Sequence, residues 1–240
     1  MSRRGGLAAG LLCALGVAGC PAQPAAIAPV VAPGLGLPST ATGDIDLAGK
    51  FDDALPVHLR GDAPGAVVKL AACADYEKVR ARVNGSDSEL DYGTVKYEGA
   101  RCDAMAVLKQ ATAATRSALP PGRFLDWRSA QLYPATLWAA FADEEFARLA
   151  APSATLQTAS GKASLKAVSD RFLELEDRAA GIHMTLLGLG DVDHDGWQDA
   201  VVLVEGYAKG GSNTTARAAV LTRRESDKGL REVPLERVLR

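Results

Sequence analysis

The 240-residue chain predicts an α+β fold, a small antiparallel meander in the C-terminal third with N-terminal helices packed against it. Three observations carry that expectation. Between residues 172 and 222, period-2 and β-branched runs alternate with short turns, and short connections favour antiparallel neighbours. Between residues 75 and 150, apolar side chains recur at helical spacing behind Asp residues able to cap them. Ahead of both, residues 5–43 contain no charged side chain at all, so the fold begins near residue 44.

The elements follow in order. Met-Ser-Arg-Arg and then an apolar stretch from Gly5 to Gly19 form a positive region followed by a short apolar one. Fifteen helical residues reach roughly 22 Å, short of a hydrocarbon core of about 30 Å, which disfavours a permanent membrane span. Five prolines (21, 24, 29, 33 and 38) break any helical or strand period, and residues 20–43 read as a semi-stiff tether.

In the remaining domain, residues 44–240, Asp75 caps a turn carrying Tyr76, Val79 and Val83, which Asn84-Gly85 stops. Asp103 caps a second helix with Met105, Leu108, Ala111, Thr115 and Ala118, ended by Pro120-Pro121. A third runs over residues 135–150, with Trp138 and Phe141 as core, and Pro152 closes it. Strands follow at 172–176, 182–187, 200–207 and 216–222, with turns at 177–181 and 209–213.

Cys73 and Cys102 each precede an expected helix. In an exported chain they suggest one disulfide, closing a 29-residue interval and contributing roughly 3–4 kcal/mol by loop entropy. Two buried free thiols are the alternative.

The composition excludes some classes. Near-neutral charge (−2) argues against a nucleic-acid partner. A mean hydropathy of +0.00 is too apolar for a disordered chain and too polar for a multispanning membrane protein. No Gly-x-Ser-x-Gly elbow, phosphate loop or dinucleotide fingerprint is present. His183 sits in an apolar strand context and reads as a core histidine. Glu174 and Glu176 share a strand face that suits glycoside chemistry or simply solvent. His58 carries no recognisable signature.

Two segments resemble known families. Val17-Ala18-Gly19-Cys20 resembles the bacterial lipobox, which implies cleavage before Cys20 and acylation of its side chain and new N-terminus. An ordinary secretory signal is the alternative. The lipobox implies a lipid bilayer as partner and an envelope location. Pro21 in place of Asp leans towards the outer membrane, facing the periplasm. Removing residues 1–19 takes Arg3 and Arg4 with it and leaves a net charge of −4.

The second segment is Gly190-Asp191-Val192-Asp193-His194-Asp195-Gly196-Trp197-Gln198-Asp199. Carboxylates at alternate positions turn inward together, and Gly196 permits the sharp turn. Asp191, Asp193, Asp195, the carbonyl of Trp197 and Asp199, directly or through water, are the expected metal ligands. Calcium is favoured over magnesium because the loop offers many oxygens. His194 should point outward. The alternative is a polar turn rich in Asp and Gly. Val202 stands where a helical calcium hand needs Glu, and the apolar continuation favours a strand. The segment resembles the FG-GAP or VCBS calcium loop of integrin-like repeats, over about residues 187–207. It also looks like the tail of many bacterial lipoproteins, a likeness that names no substrate. An envelope-anchored, calcium-stabilised binding module with a protein or glycan partner is therefore expected. A cell-wall or ester hydrolase with a dispersed site, or a purely structural lipoprotein, are the alternatives.

Overall fold

The computed structural model describes residues 25–31, 45–151 and 153–239; Cys20 and the lipobox lie outside them. The fold is α+β, with the antiparallel meander in the C-terminal third. Alternating apolar runs form β5 (Ser164–Val168), β6 (Phe172–Glu176), β7 (Ala180–Gly190), β8 (Asp199–Ala208), β9 (Thr214–Thr222) and β10 (Arg231–Val233). Their order is β10-β9-β8-β7-β6-β5, so among these six strands every neighbour in the sheet is also a neighbour in sequence. Asp177 closes the β6–β7 turn by accepting from the backbone N–H groups of Ala179 and Ala180.

The strand β8 is buried on both faces, and its period-2 alternation divides the interior. Ala200, Val202 and Val204 face one core with Leu173, Leu175, Ile182, Met184, Ala219 and Leu221. Val201 and Leu203 face the other with Ala218 and Val220. A helix, α2 (Glu89–Lys109), covers the second face with Ala104, Met105, Val107 and Leu108. The first face is covered by residues 119–163, mostly loop and 3-10 turns, which contribute Phe124, Tyr133, Leu137, Trp138 and Leu156. They include two short helices, α3 (Asp143–Leu149) and α4 (Leu156–Ser160). Three layers result, where helices on one face were expected.

Other expectations are corrected. The first helix, α1, spans Cys73–Val79 and starts at the cysteine; Asp75 lies in its first turn and accepts from the N–H of Ala71. The second helix begins at Glu89, not after Asp103. Ser88 caps it, accepting from Asp91 N–H at 3.1 Å and donating to the Asp91 carboxylate at 2.6 Å. It stops at Lys109, because the N–H groups of Thr112, Ala114, Thr115 and Arg116 bond elsewhere. The disulfide between Cys73 and Cys102 is formed, Cα–Cα 5.2 Å, and ties the start of α1 to the middle of α2. The expected helix over 135–150 reduces to a 3-10 turn at Ala135–Leu137 and the helix α3. Trp138 is core; Phe141 is half-buried.

Two features had no counterpart in the sequence reading. The strands β2 (Lys50–Leu59), β3 (Val68–Ala72) and β4 (Val83–Gly85) form a second, three-stranded sheet in the order β3-β2-β4, with its own small core of Leu55, Val57, Leu59, Leu70 and Val95. Val83, expected on a helix, is a strand residue here. Residues 25–31, assigned to the tether, lie along the domain. Val30 and Val31 form β1, paired with β7 at Leu189 and Gly188, and Ile27 bridges Ala114. Val31 is buried. Gly188 makes this approach possible: a Cβ there would stand 2.5 Å from Leu108 and 2.8 Å from the carbonyl of Val30.

Candidate metal centre

The hairpin from β7 to β8 closes at the register pair Gly190–Asp199, leaving residues 191–198 as the loop. Its own carboxylates hold it. Asp191 accepts from Asp195 N–H (3.1 Å) and Gly196 N–H (2.9 Å). Asp195 accepts from Trp197 N–H at 2.9 Å, and Asp199 from Val192 N–H at 3.0 Å. The sharp reversal puts His194 at φ 60° and Gly196 at φ 86°, a region that favours glycine.

Residues 112–116 brace the loop from outside. Thr112 and Asp191 exchange both backbone hydrogen bonds, at 2.9 and 3.0 Å. The N–H groups of Thr115 and Arg116 converge on the Gly196 carbonyl, joined by the Thr115 hydroxyl. Gln198 N–H returns to the Arg116 carbonyl, and the Arg116 guanidinium lies over the Trp197 ring.

Oxygens of Asp191, Asp193 and Asp195 lie within 4.8 Å of one another. Asp199 is fully buried and lies outside that trio. Oδ1 of Asp193 is buried without a hydrogen-bond partner. The buried Oδ1 of Asp199 and the buried hydroxyl of Thr222 on β9 make no other hydrogen bond and interact with each other, which draws the Asp199 carboxyl down against its burial. A buried acceptor without a donor costs about 1–3 kcal/mol, more when charged. Burial pushes the Asp199 carboxyl up to about 7, and the charges of Asp193 and Asp195 add to it. Burial also raises Asp193, with Asp195 and Asp191 adding repulsion. Burial acts the same way on Asp195, yet its bonds to Arg224 (2.8 Å) and to Trp197 N–H outweigh it and hold that carboxyl below its ordinary value. A divalent cation between the oxygens of Asp191, Asp193 and Asp195 would relieve the repulsion and supply the partner that Asp193 lacks.

Of the expected ligands, the structure therefore groups Asp191, Asp193 and Asp195. Trp197 is buried by its side chain. His194 is exposed, with Thr112 Oγ1 3.4 Å from its Nδ1. Arg224, Thr222 and the 112–116 brace escaped sequence reading, because each reaches the loop only through the fold. Among the described residues, no other group of three His, Cys, Asp or Glu converges as closely.

The remaining candidates are accounted for differently. His58 pairs with Asp87 at 3.2 Å and contacts the Ala66 carbonyl at 3.0 Å, clamping the small sheet. His183 is not in the apolar core: it lies between the rings of Phe172 and Tyr207, with Glu174 3.5 Å away. Glu174 and Glu176 are partly covered, both accepting from the Tyr207 hydroxyl, and Lys166 and Lys209 pair with Glu176. Comparison with protein-family models, curated proteins and solved structures finds no match to this chain.

Proposed function

We propose that the chain is a lipoprotein of the bacterial envelope, anchored through acylated Cys20, whose domain is a binding module clamped by calcium. The observation that carries the calcium reading is the buried, unpartnered carboxylate oxygen of Asp193, at the point where oxygens of Asp191, Asp193 and Asp195 converge in a loop whose other carboxylates already hold its backbone. The ion belongs with Asp191, Asp193 and Asp195, with Asp199 behind them and the Trp197 carbonyl as a further ligand. Its role is structural: it fixes the β7–β8 turn and, through residues 112–116, the connection leaving α2. The lipobox Val17-Ala18-Gly19-Cys20 supports the anchor, and the outer membrane facing the periplasm is the favoured location. An envelope protein or a glycan is the proposed partner.

Thermal melting of the wild type and of Asp195→Asn, each with calcium and with chelator, tests the metal. Calcium at a hundred times its dissociation constant adds about 2.7 kcal/mol, several degrees for a domain of this size. The wild type should gain that shift and the variant most of it should lose; four identical midpoints would sink the calcium reading. Cys20→Ala tests the anchor separately: the protein should leave the membrane fraction and its N-terminal peptide should lose the acyl mass.

A further inference from the structure

A cleft of ≈600 Å³ opens between the N-terminal half of α2 and the far ends of β7, β8 and β9. Cross-strand register builds its floor. Glu174, His183 and Glu205 are successive register partners on β6, β7 and β8, and their side chains share the face that α2 only partly covers. Tyr207, two residues along β8 on that face, lies over Gly181, where a Cβ would stand 2.3 Å from its ring. Tyr97 approaches from the helix, and Leu90 stands at the mouth, 82% exposed.

The charges in this cleft do not balance. Glu89, Glu205 and His183 line it, and neither Lys nor Arg is among its lining residues. Lys96, nearby on α2, is committed to the Thr214 carbonyl at 3.0 Å and to the Tyr92 ring. Lys166 and Lys209 are held by Glu176. Glu174 has His183 and the Tyr207 hydroxyl. Glu205 has no hydrogen bond or ion pair among the described residues, although it is half-buried and aromatic rings stand around it. Burial raises its carboxyl, and the pull of the neighbouring His183 in the other direction does not make up for it.

We infer that this cleft binds an alkylammonium cation, with Glu205 as its counter-ion and the rings of Tyr97, His183 and Tyr207 as its walls. Aromatic faces attract ammonium groups, more strongly as the site is desolvated, and a carboxylate at the floor adds a charge-assisted contact. The inference stands apart from the calcium loop, which lies at the opposite end of β7 and β8.

The test is a titration of the full chain in detergent, followed by NMR of the aromatic and histidine resonances, run once with calcium and once with chelator. The probes are choline, n-butylammonium and the uncharged isostere of choline in which a tert-butyl group replaces trimethylammonium. At least one ammonium should bind saturably, and the isostere about tenfold more weakly or worse. Glu205→Gln should weaken ammonium binding by a similar factor. Leu90→Arg, at an exposed position that leaves folding alone, should weaken it by placing a competing cation at the mouth. Absence of saturable ammonium binding, equal binding of the isostere, or unchanged affinity in both variants overturns the inference. Binding that persists in chelator separates it from the fate of the calcium reading.

Discussion

Asp199→Asn should make the metal-free protein more stable and the calcium-loaded protein less so. Asp199 is fully buried; one oxygen accepts from Val192 N–H, and the Thr222 hydroxyl is the carboxylate's other partner. An amide of the same shape keeps the Val192 and Thr222 contacts and removes the charge that Asp193 and Asp195 repel. Burial moves the carboxyl from its ordinary 3.8 to about 7, which penalises the charged form by ~4 kcal/mol at most. The sign follows from proton binding. Between about pH 4 and 7 the folded state holds a proton that the unfolded chain has released, so stability falls as pH rises through this window and is fully present below it. The wild type in chelator should therefore lose stability from pH 4 to 7, while the variant stays flatter. At neutral pH the variant should lead by about 1–3 kcal/mol, or several degrees, in urea or thermal unfolding. With calcium the order should reverse, because a negative charge behind the ion is gone. A variant less stable than wild type in chelator at neutral pH, or a gap that does not close towards pH 4, would refute the reasoning.

Three further outcomes follow from packing. Reducing the Cys73–Cys102 bridge, or replacing both residues by Ser, should lower denaturant stability by roughly 3–4 kcal/mol, given the separation of 29. Gly181→Ala should displace Tyr207 and cost about 1–3 kcal/mol, seen as a lower melting point and a changed near-ultraviolet tyrosine signal. Val31→Asp should free β1 from Gly188, and limited proteolysis should then cut within residues 25–31 while β8 stays protected.

The sheet was legible because its strands obey local rules. Phe172–Glu176 alternates cleanly, and the apolar run of β8 announces burial on both faces. The Asp trio was legible because its ligands lie in one loop. The helices were not, and the reasons are particular. The first turns of α2 are polar and include Gly93 and Gly99; Gly99 serves the ring of Tyr76, whose atoms stand 2.7–2.8 Å from where a Cβ would lie. The start signal at Ser88 and Asp91 was present but lacked an apolar stripe behind it. Beyond Lys109 the spacing of Ala111, Thr115 and Ala118 mimics a helix, yet the backbone groups of Thr112, Ala114 and Thr115 bond to Asp191, Ile27 and Gly196, which no local pattern encodes. Proline is disfavoured in a central strand, and Pro56 is accommodated because β4 reaches only His58 and Leu59, so it lies where β2 has one neighbour. The layer over 119–163 is mainly irregular backbone, to which periodicity is blind.

In the proposed lipid-anchored form, the seat of residues 25–31 on the sheet would set the altitude of the domain above the bilayer. From an acylated Cys20, the 24 residues up to residue 44 could span roughly 80 Å at full extension. Ile27 is pinned to Ala114, and the seven residues up to it span at most ~25 Å. Such a domain would be moored rather than flown. Val30 and Val31 dock at the Asp191 end of β7, so that end would be the keel, nearest the headgroups. The proposed ammonium cleft lies roughly 25 Å away along β8, towards the other end of the strand.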